Sequence, residues 1–228
     1  MRLEAAHPQP GWATGAEALL RAVLPSRRTA LVSSFGADSA VLLHMVAAID
    51  PATPVIFVDT EMLFPETLSH QRDLARRLGL RDLRRVRPDR AATFARDGEG
   101  LLHAADPDAC CALRKTEPLA RALEGFDAWI TGRRRSQPGR GALQPFERAD
   151  GRLKVNPLAH WSRERVAAYL DATGLPPHPL VAKGFASIGC APCTTATRPG
   201  EDERAGRWRG RGKTECGIHF ANGRAVRG

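Results

Sequence analysis

Two continuous apolar runs, Thr29-Ala-Leu-Val-Ser33 and Pro54-Val-Ile-Phe-Val-Asp59, have the length and β-branched content of strands buried on both faces. Weaker runs over 83–87, 127–131 and 153–156 predict three further strands. Helical stretches separate them, over 16–24, 40–48, 65–79, 110–123 and 162–172. Their ends carry the expected punctuation. Pro65 is tolerated in a first turn, Gly79 suits a C-terminal cap, Ser162 can cap an N-terminus, and Gly174 and Pro176 stop the last helix. Strands alternating with helices predict an α/β fold, a doubly wound, mostly parallel sheet. Residues 1–14 lack periodicity, and periodicity fails again from Thr197. The expected division is an N-terminal lead-in and helix over 1–28, one α/β domain over 29–196, and a tail over 197–228.

Composition narrows the class. A chain of 228 residues, 43% hydrophobic and 26% charged, can bury a sizeable core and is neither disordered nor membranous. No apolar run approaches the roughly 18 residues of a spanning helix. Residues 1–14 lack the apolar core of a secretory signal, so a cytoplasmic location is expected, where thiols stay reduced. The formal charge is +9, and lysine occurs only at Lys115, Lys154, Lys183 and Lys213, so arginine supplies most of the positive charge. Guanidinium groups suit bidentate recognition of phosphate and sulfate. The basic runs are short and only 6% of residues are aromatic, which favours a small anionic ligand over nucleic acid.

The first strand feeds into Ser33-Ser-Phe-Gly-Ala-Asp-Ser39 and then a helix. That layout aims backbone N–H groups and the positive end of a helix at a phosphate. The loop lacks the Lys-Ser/Thr ending of a Walker motif and resembles the S-x-G-x-D-S loop of the PP-loop family. The second strand ends in Asp59-Thr60, where α/β folds place ligand contacts.

The five cysteines fall into an adjacent pair, Cys110-Cys111, a C-x-x-C, Cys190-Ala-Pro-Cys193, and a single Cys216. Four thiolates suit tetrahedral zinc or an iron–sulfur cluster. Adjacent helical residues point about 100° apart, which a cubane with separate iron corners accepts more easily than one zinc ion. The spacing leans towards 4Fe-4S and leaves zinc open. Cys216 lies in Glu215-Cys-Gly-Ile-His219, and a tail carrying a nucleophile has a reason to fold back.

Cys110-Cys-Ala-Leu-Arg-Lys-Thr-Glu-Pro118, Gly184-Phe-Ala-Ser-Ile-Gly-Cys-Ala-Pro-Cys-Thr194 and Lys213-Thr-Glu-Cys-Gly-Ile-His219 together resemble the assimilatory adenylyl-sulfate reductases. Phe64-Pro-Glu-Thr67, Gly132-Arg-Arg-Arg-Ser-Gln-Pro-Gly-Arg140, Asn156-Pro-Leu158 and Glu203-Arg-Ala-Gly-Arg-Trp208 match the same family in order. The resemblance implies thioredoxin- or glutaredoxin-dependent reduction of adenosine 5'-phosphosulfate to sulfite and AMP, within sulfate assimilation and cysteine biosynthesis. It implies Cys216 as nucleophile, carrying an S-sulfonate, with His219, Lys115, Arg204 and Arg207 beside the sulfate. Ser33, Ser34, Gly36, Asp38 and Ser39 would line the phosphate end; Arg133, Gln137 and Arg140 would meet the nucleotide, and Asp59 and Thr60 precede the family's second ligand loop, with strand-end capping as their alternative role. Cys110, Cys111, Cys190 and Cys193 would hold a 4Fe-4S cluster that need not change oxidation state, since the electrons arrive as thiols.

Members specific for the 3'-phosphorylated nucleotide generally lack those four cysteines, so their presence favours the unphosphorylated substrate. Relatives self-associate, and a homo-oligomer is expected. This chain departs from the family at Glu61, where glycine is common, and at Pro138, where serine is usual. Other readings are a 3'-phosphoadenosine 5'-phosphosulfate reductase, an ATP-dependent tRNA-thiolating PP-loop enzyme, and a zinc-stabilised nucleic-acid-binding module.

Overall fold

The computed structural model describes residues 14–137, 139–213, 215, 220–221 and 224–225. Six strands form one sheet: β1 (Thr29–Val32), β2 (Val55–Val58), β3 (Leu83–Val86), β4 (Ala128–Ile130), β5 (Phe146–Ala149) and β6 (Arg152–Val155). The order is β3-β2-β1-β4-β6-β5. All pairs are parallel except β5 with β6, which run antiparallel with Glu147 opposite Lys154. The helices are α1 (Thr14–Val23), α2 (Ser39–Ile49), α3 (Pro65–Leu78), α4 (Arg90–Asp97), α5 (Leu102–Ala105), α6 (Pro107–Cys111), α7 (Glu117–Ala122) and α8 (Arg163–Thr173). No helix among the described residues is long and apolar enough to cross a membrane. A short antiparallel pair, Phe220–Ala221 with Arg224–Ala225, lies in the tail region.

The two strongest apolar runs become the two central strands, β1 and β2, because only a strand covered on both faces tolerates consecutive apolar residues. One face packs α1, α2 and α8 through Leu20, Leu31, Leu43, Val46, Val55 and Tyr169. The other buries Ala30, Ile56 and Trp129 under Leu119 and Leu123 of the α7 region. Gly79 ends α3 in the left-handed conformation, φ 64°, as its place in the sequence predicts. Fully burying a leucine such as Leu43 stabilises the fold by about 1.5–3 kcal/mol.

Four parts differ from the pattern-based expectation. Helices α4 and α5 and strand β5 appear where none is predicted, and the stretch 110–123 is not one regular helix. It consists of the end of α6, a π-helical turn over Ala112–Thr116, and α7. Strands β1 and β4 are neighbours whose following connections diverge, so their carboxyl ends open a crevice at the point where the strand order reverses.

Candidate active site

That crevice is a cavity of about 240 Å³ at the ends of β1, β2 and β4. Its floor is apolar, from Leu31, Leu42, Leu43, Val58 and Trp129, and its rim carries cations. Ser33, Ser34, Gly36, Asp38 and Ser39 line one end. Their loop is held tightly: Ser33 Oγ accepts from the Phe35 N–H at 3.2 Å, and Ser39 N–H donates to the Gly36 carbonyl at 3.1 Å. Phe35 sits at φ 50°, a strained conformation for a residue with a side chain, and is held there by full burial and an edge contact of 5.3 Å with Phe57. Asp38 also lines the cavity. Its carboxylate pairs with Arg134 at 2.6 Å.

Arg134 is fully buried and also reaches Glu203 at 3.3 Å, so it ties the serine loop to the segment that carries Arg204 and Arg207. Burial pushes the Glu203 carboxyl up, and Arg134 only partly offsets this. Arg133, Gln137 and Arg140 reach the cavity from the loop after β4. Arg140 donates to Glu215 at 2.6 Å, and Arg204 lies 3.4 Å from the same carboxylate.

The segment 194–208 is fixed against the C-x-x-C loop by a close backbone approach. A Cβ on Gly206 would stand 2.1 Å from the Thr195 carbonyl oxygen, so glycine is required there. Arg207 then lies over the Trp208 ring at 4.3 Å and against Gly189, whose added Cβ would meet its guanidinium at 2.4 Å. The two glycines thus let a cation into the cavity wall beside Cys190.

The four paired cysteines come together. Cys110, Cys111, Cys190 and Cys193 are buried, outside any disulfide, and line one small cavity with Met62, His103, Pro107, Arg114 and Lys115. Arg114 fixes the π-helical turn through Asp97 at 2.8 Å and the Thr60 carbonyl at 3.1 Å. Thr60 Oγ1 lies 3.2 Å from the Cys190 Sγ. Lys115 lines both this cavity and the large one.

Burial, with Cys111 and Cys190 nearby, pushes the Cys110 thiol up to about 12. Burial acts on Cys190 in the same direction, but Lys115, the Thr60 hydrogen bond and Arg207 together bring its thiol below the ordinary value. Among the described residues, no three His, Cys, Asp or Glu side chains are gathered as a single metal ion requires. Four buried thiols around a common cavity are a donor set that could hold a thiolate-bound metal group.

Of the site residues expected from the sequence, the serine-loop residues, Thr60, Lys115, Arg133, Gln137, Arg140, Arg204, Arg207 and Cys190 all line the large cavity. Asp59 is not among its lining residues. Burial pushes its carboxyl up, but the Glu61 N–H, Arg87 and Arg85 outweigh that and hold it below the usual range, as a strand-end anchor. Cys216, His219 and Pro138 lie outside the described residues.

Glu61 adopts φ 61°, the left-handed region that explains why glycine suits this position; its half-exposed carboxylate lies 3.8 Å from Arg114 and outside the cavity lining. Sequence reasoning missed Trp129, Arg134 and Glu203 as parts of the site. Only the position of Trp129 near the carboxyl end of a buried strand could have pointed to it.

The fold is an α/β fold of the PP-loop kind, with a cysteine-lined cavity beside the crevice at the strand ends. The model of the phosphoadenosine phosphosulfate reductase domain matches residues 28–196, and the chain belongs to this family. It is 52% identical over 193 residues to an adenosine 5'-phosphosulfate reductase of Mesorhizobium japonicum, covering 84% of this chain and 76% of that one. It is 53% identical over 192 residues to the enzyme of the same name from a Chelativorans species, covering 84% and 78%. The crystal structure of a phosphoadenylyl-sulfate reductase from Candida auris, in a phosphate complex, superposes with a TM-score of 0.70 at 28% identity, covering 79% of this chain and 90% of that one.

Proposed function

We propose that this protein reduces adenosine 5'-phosphosulfate to sulfite and AMP with electrons from thioredoxin or glutaredoxin. The observation that carries the reading is the shared wall. A cavity rimmed by Lys115, Arg133, Arg140, Arg204 and Arg207 adjoins a second one lined by four cysteines, and Lys115 lines both. Relatives named for this reaction, similar over most of the chain, support the same assignment.

The substrate is a mixed anhydride of AMP and sulfate, so its sulfur is electrophilic and AMP is the leaving group. The thiolate of Cys216 attacks that sulfur, the bond from sulfur to the phosphate oxygen breaks with its electron pair, and AMP departs. Cys216 is left as an S-sulfonate. A thiolate of the dithiol donor then attacks the Cys216 sulfur and displaces sulfite; the donor's second thiol resolves the mixed disulfide and restores the Cys216 thiol. The substrate thereby gains two electrons and the donor becomes a disulfide.

An anionic ligand and a thiolate repel each other. Lys115, Arg204 and Arg207 offset that repulsion and stabilise the charge moving onto the phosphate, with His219 assigned beside them by resemblance. Ser33, Ser34, Gly36 and Ser39 hold the phosphate end, while Arg133, Gln137 and Arg140 hold the nucleotide.

Cys110, Cys111, Cys190 and Cys193 would hold a 4Fe-4S cluster. When bound, such a group supplies structural order and local charge, while the electrons arrive as thiols. Location in the cytoplasm and assembly into a homo-oligomer complete the proposal. The test is sulfite release from adenosine 5'-phosphosulfate by anaerobically purified protein with a thioredoxin system; none with intact iron would remove the reading. Comparing kcat/KM for the 3'-phosphorylated nucleotide decides between the two sulfonucleotides.

A further inference from the structure

Trp129, Lys154 and Glu147 stand opposite one another on neighbouring strands. Trp129 of β4 is in register with Lys154 of β6, and Lys154 with Glu147 of β5. Side chains in such a row project from one face of the sheet. Lys154 is only 2% exposed, and its Nζ lies 4.7 Å from the centre of the Trp129 ring and 4.0 Å from Glu147 Oε2. That same oxygen accepts from Asn156 Nδ2 at 2.9 Å and from Arg133 Nη2. Asn156 Oδ1 in turn accepts from Thr131 Oγ1 at 2.7 Å. Trp129, Thr131 and Arg133 line the nucleotide cavity, and Lys154 does not. A buried ammonium therefore reaches the site through an aromatic ring and a carboxylate that it shares with a cavity arginine.

We propose that Lys154 is a positioning residue for the anionic nucleotide: by pairing with Glu147 it sets how much of that carboxylate's charge is left to neutralise Arg133. The inference rests on the reading of the cavity as a sulfonucleotide site. The charged groups around Lys154 are Arg133 and Arg140, which repel its ammonium, and Glu147 and Glu215, which attract it. Burial, followed by Arg133, lowers it from 10.5 to about 7.

The direction of the effect follows. Below neutrality Lys154 is charged and occupies Glu147, so Arg133 presents more of its positive field to the cavity. Above neutrality Lys154 is neutral, Glu147 cancels Arg133 more fully, and an anion is held less tightly. Conversely, a bound anion draws a proton onto Lys154.

The test is calorimetric binding of adenosine 5'-phosphosulfate to the Cys216→Ser protein, which cannot turn over, between about pH 6 and 8.5. The nucleotide has no group that titrates in this window, so any slope belongs to the protein. Affinity in this background is expected to fall by about three- to tenfold as pH rises. Adding Lys154→Met should give a flat profile at the weak, high-pH value, and adding Lys154→Arg a flat profile at the tight, low-pH value. The two variants act in opposite directions, so a general loss of fold in one cannot imitate both. An unchanged slope in Lys154→Met, or weak binding in Lys154→Arg, would overturn the inference. Absence of binding at every pH would instead remove the sulfonucleotide reading, and this inference with it.

Discussion

Lys115 stands against the thiol of Cys190 on the wall shared by the cysteine cavity and the large cavity at the strand ends. Its charge, with Thr60 and Arg207, more than offsets the burial that would push that thiol up. One cation thus faces both the thiol set and the large cavity. Replacing it by methionine keeps the length and removes the charge. Lys115→Met is expected to lower kcat/KM by about 10²–10³-fold, the usual cost of losing one well-placed electrostatic group. Lys115→Arg should retain more activity. Steady-state kinetics on both variants check this; an unaffected Lys115→Met would contradict the role.

The division of labour among the cysteines predicts two separable losses. Cys216→Ser should abolish turnover while leaving iron content and nucleotide affinity as they are. Cys190→Ala should lose iron and lower thermal stability, because Cys190 is buried with Cys193 and Trp208 and a group held by the thiols would order the loops around them. Iron and acid-labile sulfide analysis beside a thermal melt separates the two cases.

Arg134 is the fully buried cation that joins Asp38 to Glu203. Removing one partner of a buried ion pair leaves uncompensated charge, so Arg134→Met should cost about 3–5 kcal/mol in urea denaturation. Glu203 is partly buried, with one buried carboxylate oxygen left without a hydrogen bond, which adds to the cost.

His178 predicts an acid limit to stability. The Leu180 N–H donates to its Nδ1 at 3.2 Å, so Nε2 carries the hydrogen and donates to Thr67 Oγ1 at 3.0 Å. Burial, then the neighbouring His70, lower it to about 4 from 6.5. The unfolded chain therefore takes up a proton that the folded one refuses. The contribution is fully present above about pH 6.5 and is lost as pH falls to about 4, a change of about 3 kcal/mol. Denaturant titrations at stepped pH should show this slope, and His178→Gln should flatten it.

What could be read from the chain itself follows from which physical signals survive in a sequence. Strands β1 and β2 were readable because burial on both faces demands unbroken apolar runs. Strand β5 reads Phe-Glu-Arg-Ala and lies at the edge of the sheet with only Ala149 buried, so it leaves no apolar pattern. Helix α4 carries its largest apolar side chain, Phe94, 83% exposed. The π-helical turn keeps helical composition and is invisible to periodicity.

The cysteine pairs and the serine loop were readable because their chemistry requires particular residue types at fixed spacing. Arg134 and Glu203 were not, since a buried charge in an arginine-rich run looks like a solvated one until its partner is known.

The central claim is that sulfur passes from the nucleotide to Cys216 before any external thiol acts. Mass spectrometry of the protein mixed with adenosine 5'-phosphosulfate, in the absence of reductant, measures this directly. The account predicts one sulfonate adduct on the Cys216 peptide, AMP released in equal amount, and loss of the adduct as sulfite when thioredoxin is added. Bound nucleotide with no adduct, or an adduct on a different cysteine, would contradict it.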